Sequence, residues 1–258
     1  MSGSDNGIPS SPACQPADDD AMSSRLDALV AQAGWGSRSM VGKLIRSGAV
    51  AVDGAVCRDR ARQITESAAI SVHGQTLVTI PRVVLLHKAS GYACSRDQRE
   101  SPLVFDLLPE TWRSMEPAGR LDRNTTGLLI FSRDGALLHR LVHPKHHLPR
   151  RYRVRYDGQL PDDAVQRCAD GMLLDGDERP TKPAQLLPHR PGYATLILHE
   201  GRFHQVKRMF VALDAQVTDL HRDRIGALSL PDDLPVGASR PADDHDIETL
   251  FTMPQENT

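Results

Sequence analysis

No run of apolar residues in the 258-residue chain approaches the ~20 that a membrane-spanning helix needs, so no such helix is expected. Met1 to Met22 contains no apolar stretch and no small-residue cleavage pattern, and no secretory signal is read there. The four cysteines, Cys14, Cys57, Cys94 and Cys168, lie far apart and never at metal-ligand spacing. That points to free thiols in a reducing cytosol and away from zinc or redox chemistry. Internal repeats are missing. Net charge is only −2, which argues against a protein that holds nucleic acid through a global positive field.

What is present is unevenly placed. Hydrophobic residues make up 40% of the chain, enough for a proper core, and the length suits one large domain or two smaller ones. Acidic residues gather near the ends: Asp5 and Asp18 to Asp20, then Asp232, Asp233, Asp243, Asp244, Asp246 and Glu248. Between them, Arg140, Lys145, Arg150, Arg151, Arg153 and Arg155 form a stretch without acid, with His139, His143, His146 and His147 in or beside it. Such a stripe can grip phosphates locally, or it can be an ordinary solvated face; the histidines and Tyr152 favour RNA.

Residues 1–22 are rich in Ser, Pro, Gly and Asp and are expected to be a disordered tail. A compact unit is expected over 23–74. Ser24 and Asp27 resemble an N-cap and its partner, followed by Leu26, Leu29, Val30 and Ala33 at helical spacing, with Gly34 as a stop. Ser37 and Gly48 bracket a second helix. On it Met40, Val41, Leu44 and Ile45 share an apolar face, and Arg38, Lys43 and Arg46 lie opposite. Val50 and Val52 then alternate into an Asp53-Gly54 hairpin turn. Residues 75–82 are expected to be a linker. Beyond it, Val83 to Leu86, Leu128 to Phe131 and Ala194 to Leu198 are strand-length runs. Asp134 is expected to cap a helix that stops before Pro144, and Val206, Met209, Phe210 and Leu213 mark another. Residues 252–258 are expected to be a flexible end.

Three segments stand out chemically. In AGRLDRNTTGLLIFSRDG, Asp122 lies between two arginines in a loop just before a buried strand. It is either a presented carboxylate or a loop Asp making an Asx turn or a surface pair. In LPRRYRV, Tyr152 can pack on a flipped base or serve as a core residue with a polar tip. In LHEGRFHQVKRMF, Lys207 and Arg208 fall in the first turns of a helix, where the macrodipole disfavours cations. A bound anion, carboxylate or phosphate, would explain them; casual surface charge is the alternative.

The segment from Ser24 to Gly54 resembles the S4 RNA-binding domain, through Arg25-Leu26-Asp27, Ser37-Arg38 and Arg46 to Val50. The downstream motifs resemble the pseudouridine synthases: Gly119-Arg120-Leu121-Asp122 with Thr125 to Leu129, Arg150-x-Tyr152, and Glu200-Gly201-Arg202 with Gln205 to Met209. The resemblance runs from about Arg25 to Leu250. It implies an α+β fold, in which a small helix-helix-hairpin S4 domain precedes a catalytic domain (83–251) on a mixed, largely antiparallel sheet. It implies an isomerase that extrudes a uridine, breaks N1–C1′ and forms C5–C1′, with no metal or other cofactor. Asp122 is then the nucleophile or base, Lys207 the cation that keeps it ionised, and Tyr152 the ring against the uracil. Arg120, Arg150, Arg202 and Arg208, with Arg38, Lys43 and Arg46 of the S4 unit, are the implied RNA contacts. HPKHH, Thr181 to Ala184 and Leu220-His221-Arg222 point to small-subunit (16S) ribosomal RNA or the assembling subunit as partner, with uridine 516 the implied target. The protein is expected to be a cytoplasmic monomer. Large-subunit (23S) enzymes share the chemistry, and a non-catalytic assembly factor would lack Asp122. The sequence departs from the family at Ala89, where Pro usually follows the lysine, and at Arg150, where Lys is usual.

Overall fold

The computed structural model describes residues 24–252 apart from 66–67, 78–79, 144 and 146–147. The expected tail and nearly all of the expected flexible end lie outside the described residues. The chain divides into two compact units, 1–79 and 80–258.

The first unit contains β1 (Ser24–Arg25), α1 (Leu26–Gln32) and α2 (Arg38–Ser47), then β2 (Val50–Val52), β3 (Ala55–Val56), β4 (Gln63–Ile64), β5 (Ile70–Val72) and β6 (Gln75–Thr76). Local chemistry sets the limits of α2. The Ser37 hydroxyl accepts from the Met40 amide at 3.4 Å, and Gly48 ends the helix in the left-handed region at φ 83°. Asp53 and Gly54 both take positive φ, so the β2–β3 hairpin turns in two residues, as the sequence predicts. The antiparallel sheet runs β3-β2-β5-β6. The helices cover it with Leu26, Val30, Val41 and Ile45, which join Val50, Val52, Ile70 and Val72 in one core. Met40 departs from the expected apolar face and is 58% exposed; only Val41 and Ile45, at i and i+4, are buried on this helix's apolar row.

Two expectations are corrected here. The segment 75–82 is not all linker, because Gln75 and Thr76 pair with β5 and Leu77 is buried in the core. Ser24 and Asp27 are not a cap and its partner. Ser24 and Arg25 pair with β4, and Arg25 occupies the cap position without a side-chain bond. Asp27 is instead 1% exposed and accepts from Arg25 Nε (3.0 Å), Arg25 Nη2 (2.9 Å) and Arg60 Nε (3.1 Å). The Arg25 hydrogen bond, opposed by burial, leads in holding its carboxyl down to about 2. A depressed carboxyl pKa stabilises the fold above its ordinary value of 3.8 and loses that contribution as pH falls toward 2. The full contribution is on the order of 2 kcal/mol. Asp27→Asn should therefore lower the denaturation midpoint of this unit at pH 7 and flatten its stability profile between pH 4 and 2, read by circular dichroism. A variant that keeps the wild-type acid profile would contradict the role.

The second unit is built on a nine-stranded sheet. Its strands are β7 (Val83–Lys88), β8 (Glu116–Pro117), β9 (Thr126–Ser132), β10 (Arg150–Gly158), β11 (Gln185–Arg190), β12 (Tyr193–Leu198), β13 (Ala215–Ile225), β14 (Leu228–Ser229) and β15 (Ser239–Pro241). The order is β11-β12-β10-β13-β9-β7-β15, with β14 on β13 and β8 on β9. Only the β9–β13 pairing is parallel, so the sheet is mixed and largely antiparallel. The helices are α3 (Gly135–Val142), α4 (Ala164–Asp170), α5 (Gln205–Ala212) and α6 (Asp244–Phe251).

Strand composition follows from what covers each face. β7 and β9 are continuous apolar runs because they are buried on both sides. Val84, Leu86, Leu129 and Phe131 face one core; Val83, Leu85, Leu128 and Ile130 face the other. β10 alternates instead, burying Tyr152, Val154 and Tyr156 while Arg153 and Arg155 stay exposed. Asp134 caps α3 by accepting from the amides of Ala136 (3.0 Å) and Leu137 (3.1 Å), and α3 ends at Val142, as expected. Some of the C-terminal acid is structural: Asp243 and Asp246 form a reciprocal capping box for α6. No described helix is long and apolar enough to cross a membrane.

Candidate active site

A cleft of about 720 Å3 opens in the second unit, where the loop before β9, strand β10, the start of α5 and strand β13 converge. Asp122 lies in the loop. The Thr125 amide donates to the Asp122 carbonyl at 3.0 Å, closing a turn that leads straight into β9. Lys88, fully buried at the end of β7, pins this turn from behind. Its ammonium donates to the carbonyls of Ala89 (3.0 Å), Arg123 (3.0 Å) and Thr125 (2.8 Å). Burial pushes the Lys88 pKa down to about 8. Arg123 fastens the outer side by donating to the carbonyls of Gly91 (2.8 Å) and Glu100 (2.5 Å). Gly127 lets β9 approach β13: its φ is 106°, and a Cβ there would stand 2.1 Å from the Arg222 carbonyl oxygen.

The Asp122 carboxylate meets two cations or potential cations from the α5 start. Lys207 Nζ lies 2.9 Å from Oδ2, and His204 Nε2 lies 3.5 Å from Oδ1. The carboxylate is thus the anion that places Lys207 at a helix start. His204 holds its ring there from a left-handed backbone, φ 49°, uncommon for a residue with a side chain. The helix start is braced by Gln205, which accepts from the Arg202 amide (2.9 Å) and donates to Glu200 (2.9 Å). Tyr152 on β10 is 8% exposed and lines the same cleft. Arg120 lines it too and is exposed. Arg120 and Asp122, Tyr152, and Lys207, predicted from three separate segments, are therefore brought together.

Other expected RNA contacts are used differently. Arg202 donates to Asp177 (2.8 Å) and to the carbonyls of Arg179 (2.8 Å) and Pro180 (2.5 Å). Arg208 donates to Asp177 (2.6 Å) and to the Asp175 carbonyl (2.5 Å). Asp177 sits between the two guanidinium groups, whose hydrogen bonds, Arg208's first, hold its carboxyl below the usual range. Both arginines clamp the 175–180 segment to the α5 start rather than reaching out freely. Arg150 is also turned inward. It donates to the Leu141 carbonyl at 3.1 Å, and burial pushes its pKa down. The basic stretch is divided by strand alternation: Arg151 and Arg153 both bind Asp223, at 2.8 and 2.6 Å. Burial would raise the Asp223 carboxyl, but these hydrogen bonds hold it low. Arg140 stacks over Phe251 at 3.8 Å. His146 and His147 lie outside the described residues. In the first unit Arg38, Lys43 and Arg46 are all exposed on α2.

Lys88, Thr125, His204 and Arg222 line or support this cleft, although the sequence reading met them only as motif members or helix markers and gave them no role in the site. Lys88 carries the clearest missed signal, a lone charge closing the apolar run of β7. Cys94 also lines the cleft; burial pushes its thiol up, and it accepts from the Leu121 amide at 3.4 Å. With Cys57 and Cys168 it is a buried free thiol.

A carboxylate held against an ammonium, in a cleft also lined by a tyrosine ring and an exposed arginine, offers an oxyanion to an electrophilic carbon and a flat surface to a base. The family model described as RNA pseudouridylate synthase matches residues 82–212, and an S4 domain matches residues 24–70. The chain belongs to the RNA pseudouridylate synthase family and is an isomerase with an N-terminal S4 domain. Its relatives include ribosomal small subunit pseudouridine synthase A of Yersinia pestis, 38% identical over 229 residues, covering 88% of this chain and 97% of that protein. The enzyme of that name from Escherichia coli K12 is also 38% identical, over 230 residues, covering 88% and 99%. A crystal structure of a pseudouridylate synthase aligns with a TM-score of 0.63 at 36% identity, covering 88% of this chain and 99% of that one.

Proposed function

We propose that this enzyme converts one uridine of small-subunit ribosomal RNA to pseudouridine, the uridine numbered 516 in 16S RNA being the target. The observation that carries the reading is the Asp122–Lys207 ion pair at 2.9 Å in a cleft lined by Tyr152. The names of the relatives support the choice of subunit. The target is extruded from its stem or loop at a cost of roughly a few kcal/mol, and Arg120 at the cleft lip fills the place it leaves. Tyr152 stacks on the uracil. Asp122 acts at the sugar carbon while N1–C1′ breaks. The base turns, C5 bonds to C1′, the proton on C5 leaves, and N1 is protonated, so the product is an isomer of the substrate. The protein works as a cytoplasmic monomer on RNA or on the assembling subunit.

Pseudouridine mapping in ribosomal RNA from cells with and without the gene tests the assignment. Loss of a single modification in small-subunit RNA is the expected result. Loss in large-subunit RNA moves the enzyme to the sister group, and an unchanged map removes the reading altogether.

RNA affinity is assigned to the S4 unit, through phosphate contacts of Arg38, Lys43 and Arg46. Replacing all three with Gln should weaken binding and lower the salt slope of log Kd by about one unit per lost phosphate contact. The rate at saturating RNA should stay near wild type. Filter binding across a salt series measures this, and an unchanged slope would make the face merely solvated.

A further inference from the structure

Among the described residues, two buried side-chain polar atoms have no hydrogen-bond partner: Thr125 Oγ1 and Arg222 Nη2. Thr125 is 1% exposed and Arg222 is 2% exposed. Both residues line the cleft that contains Asp122. Buried donors and acceptors left without partners are costly and rare, and two in one cleft ask for a common explanation.

Three other cations of this region are already used. Lys88 spends its ammonium on three backbone carbonyls, and Arg150 donates to Leu141. Lys207 is taken by Asp122. Arg222 donates through Nε to the Leu128 carbonyl at 3.0 Å, which fixes the guanidinium plane and leaves Nη2 uncommitted. Its position in the sheet is defined on both sides. It pairs with Gly127 on β9 and with Tyr152 on β10. Directly opposed residues of neighbouring strands bring their side chains together on one face, so Arg222 belongs beside the tyrosine ring. Thr125 lies in the turn that carries Asp122, two residues before the Gly127 that pairs with Arg222.

We propose that Thr125 and Arg222 form the subsite for the polar edge of the target uracil. This deepens the reading above and rests on it. A guanidinium N–H only donates, so its partner must be an acceptor. Uracil offers carbonyl oxygens O2 and O4 with the N3 proton between them. Arg222 Nη2 donates to a carbonyl, and the Thr125 hydroxyl serves the neighbouring position, accepting from N3–H or donating to the second carbonyl. Cytosine sets an amino donor where uracil has O4, so a donor placed on O4 rejects it. The subsite has a second consequence. When N1–C1′ breaks, the bonding electrons pass to the base, and the charge spreads over N1, O2 and O4. A buried, plane-fixed guanidinium on a carbonyl oxygen stabilises that charge better than it stabilises the neutral base. A phosphate partner fits less well, because both side chains are almost wholly buried while the phosphate backbone passes the rim, where Arg120 is exposed.

Atomic substitution in the RNA tests the subsite. A ribosomal RNA fragment carries uridine, 2-thiouridine or 4-thiouridine at the target position, sulfur being the poorer acceptor. Single-turnover rates are measured for the full-length wild type, Arg222→Lys and Thr125→Val. The wild type should lose about tenfold with one of the two thio bases. Both variants should be slower on uridine; Arg222→Lys should also lose most of that thio penalty, because the contact is already gone, whereas Thr125→Val, at the neighbouring position, should keep it. An additive penalty in Arg222→Lys would overturn the proposal. If Arg222→Lys fails to fold, a wild-type rate on uridine for the isosteric Thr125→Val, or the absence of a wild-type penalty with either thio base, would overturn it. So would a loss of affinity with steep salt dependence at an unchanged rate, which would assign Arg222 to a phosphate. If turnover occurs only on large-subunit RNA, the same comparison is made there, so the subsite and the choice of subunit fail separately.

Discussion

Asp122→Asn should reduce isomerisation by roughly 10^4-fold or more while RNA affinity stays within a few-fold. Among the described residues, the side chain pairs with Lys207 and His204, both in the cleft. The loop itself is held by backbone groups: the Thr125 amide on the Asp122 carbonyl, and the Lys88 ammonium on the carbonyls of Arg123 and Thr125. Replacing the carboxylate by its isosteric amide therefore leaves the turn, the strand behind it and the cleft shape in place. What disappears is the anionic oxygen, and a neutral amide is a poor nucleophile and a poor base. RNA binding is proposed to rest on other residues, chiefly the exposed cations of the first unit and Arg120, so it should survive. Pseudouridine formation in a single-turnover assay, binding by filter retention and thermal unfolding distinguish the cases. A folded Asn variant that retains more than a few per cent of the rate would remove Asp122 from the chemistry. A variant that loses affinity in proportion to rate would make it an RNA-positioning residue.

The sequence was legible where local chemistry acts alone. Ser37 and Gly48 bracket α2, Asp53-Gly54 turns the first hairpin, and Asp134 caps α3, because each feature is decided within a few residues. The candidate site was legible as motifs, but not as geometry. Its members come from the loop before β9, from β10 and from α5, whose meeting depends on strand order. Long-range partners were the least legible. Asp27 looks like a helix-capping acid until Arg60, 33 residues away, is seen on its carboxylate. Arg202 and Arg208 look like RNA contacts until Asp177 is found between them. Arg150, Arg151 and Arg153 look like one stripe, yet Arg150 turns inward to the Leu141 carbonyl and the other two share the single carboxylate of Asp223. Lys88 is hidden for the same reason. Its partners are backbone carbonyls, and backbone leaves no mark in residue identity.

Lys207→Met should lower the single-turnover rate by roughly 10^2-fold, with RNA affinity nearly unchanged. Lys207 stands in the first turn of α5, where the helix dipole disfavours a cation by a few tenths to 1 kcal/mol. Removing the charge therefore costs the helix nothing, and the apolar Met stem can follow the path of the lysine stem. Asp122 keeps only His204, at 3.5 Å, in place of an ammonium at 2.9 Å. The carboxylate then loses the ammonium that fixes its direction in the cleft. Lys207→Arg should recover part of the rate, since it restores the charge with a different fork. Arg208 provides the contrast. It is the next residue, about 100° around the helix, and its guanidinium is engaged with Asp175 and Asp177. Arg208→Met should loosen the 175–180 segment, lowering the melting temperature more than it lowers the rate of the folded fraction. Rates, affinities and melting curves for the three variants separate the roles. If Lys207→Met keeps its single-turnover rate and loses affinity, the lysine grips RNA and the ion pair with Asp122 is not part of the chemistry.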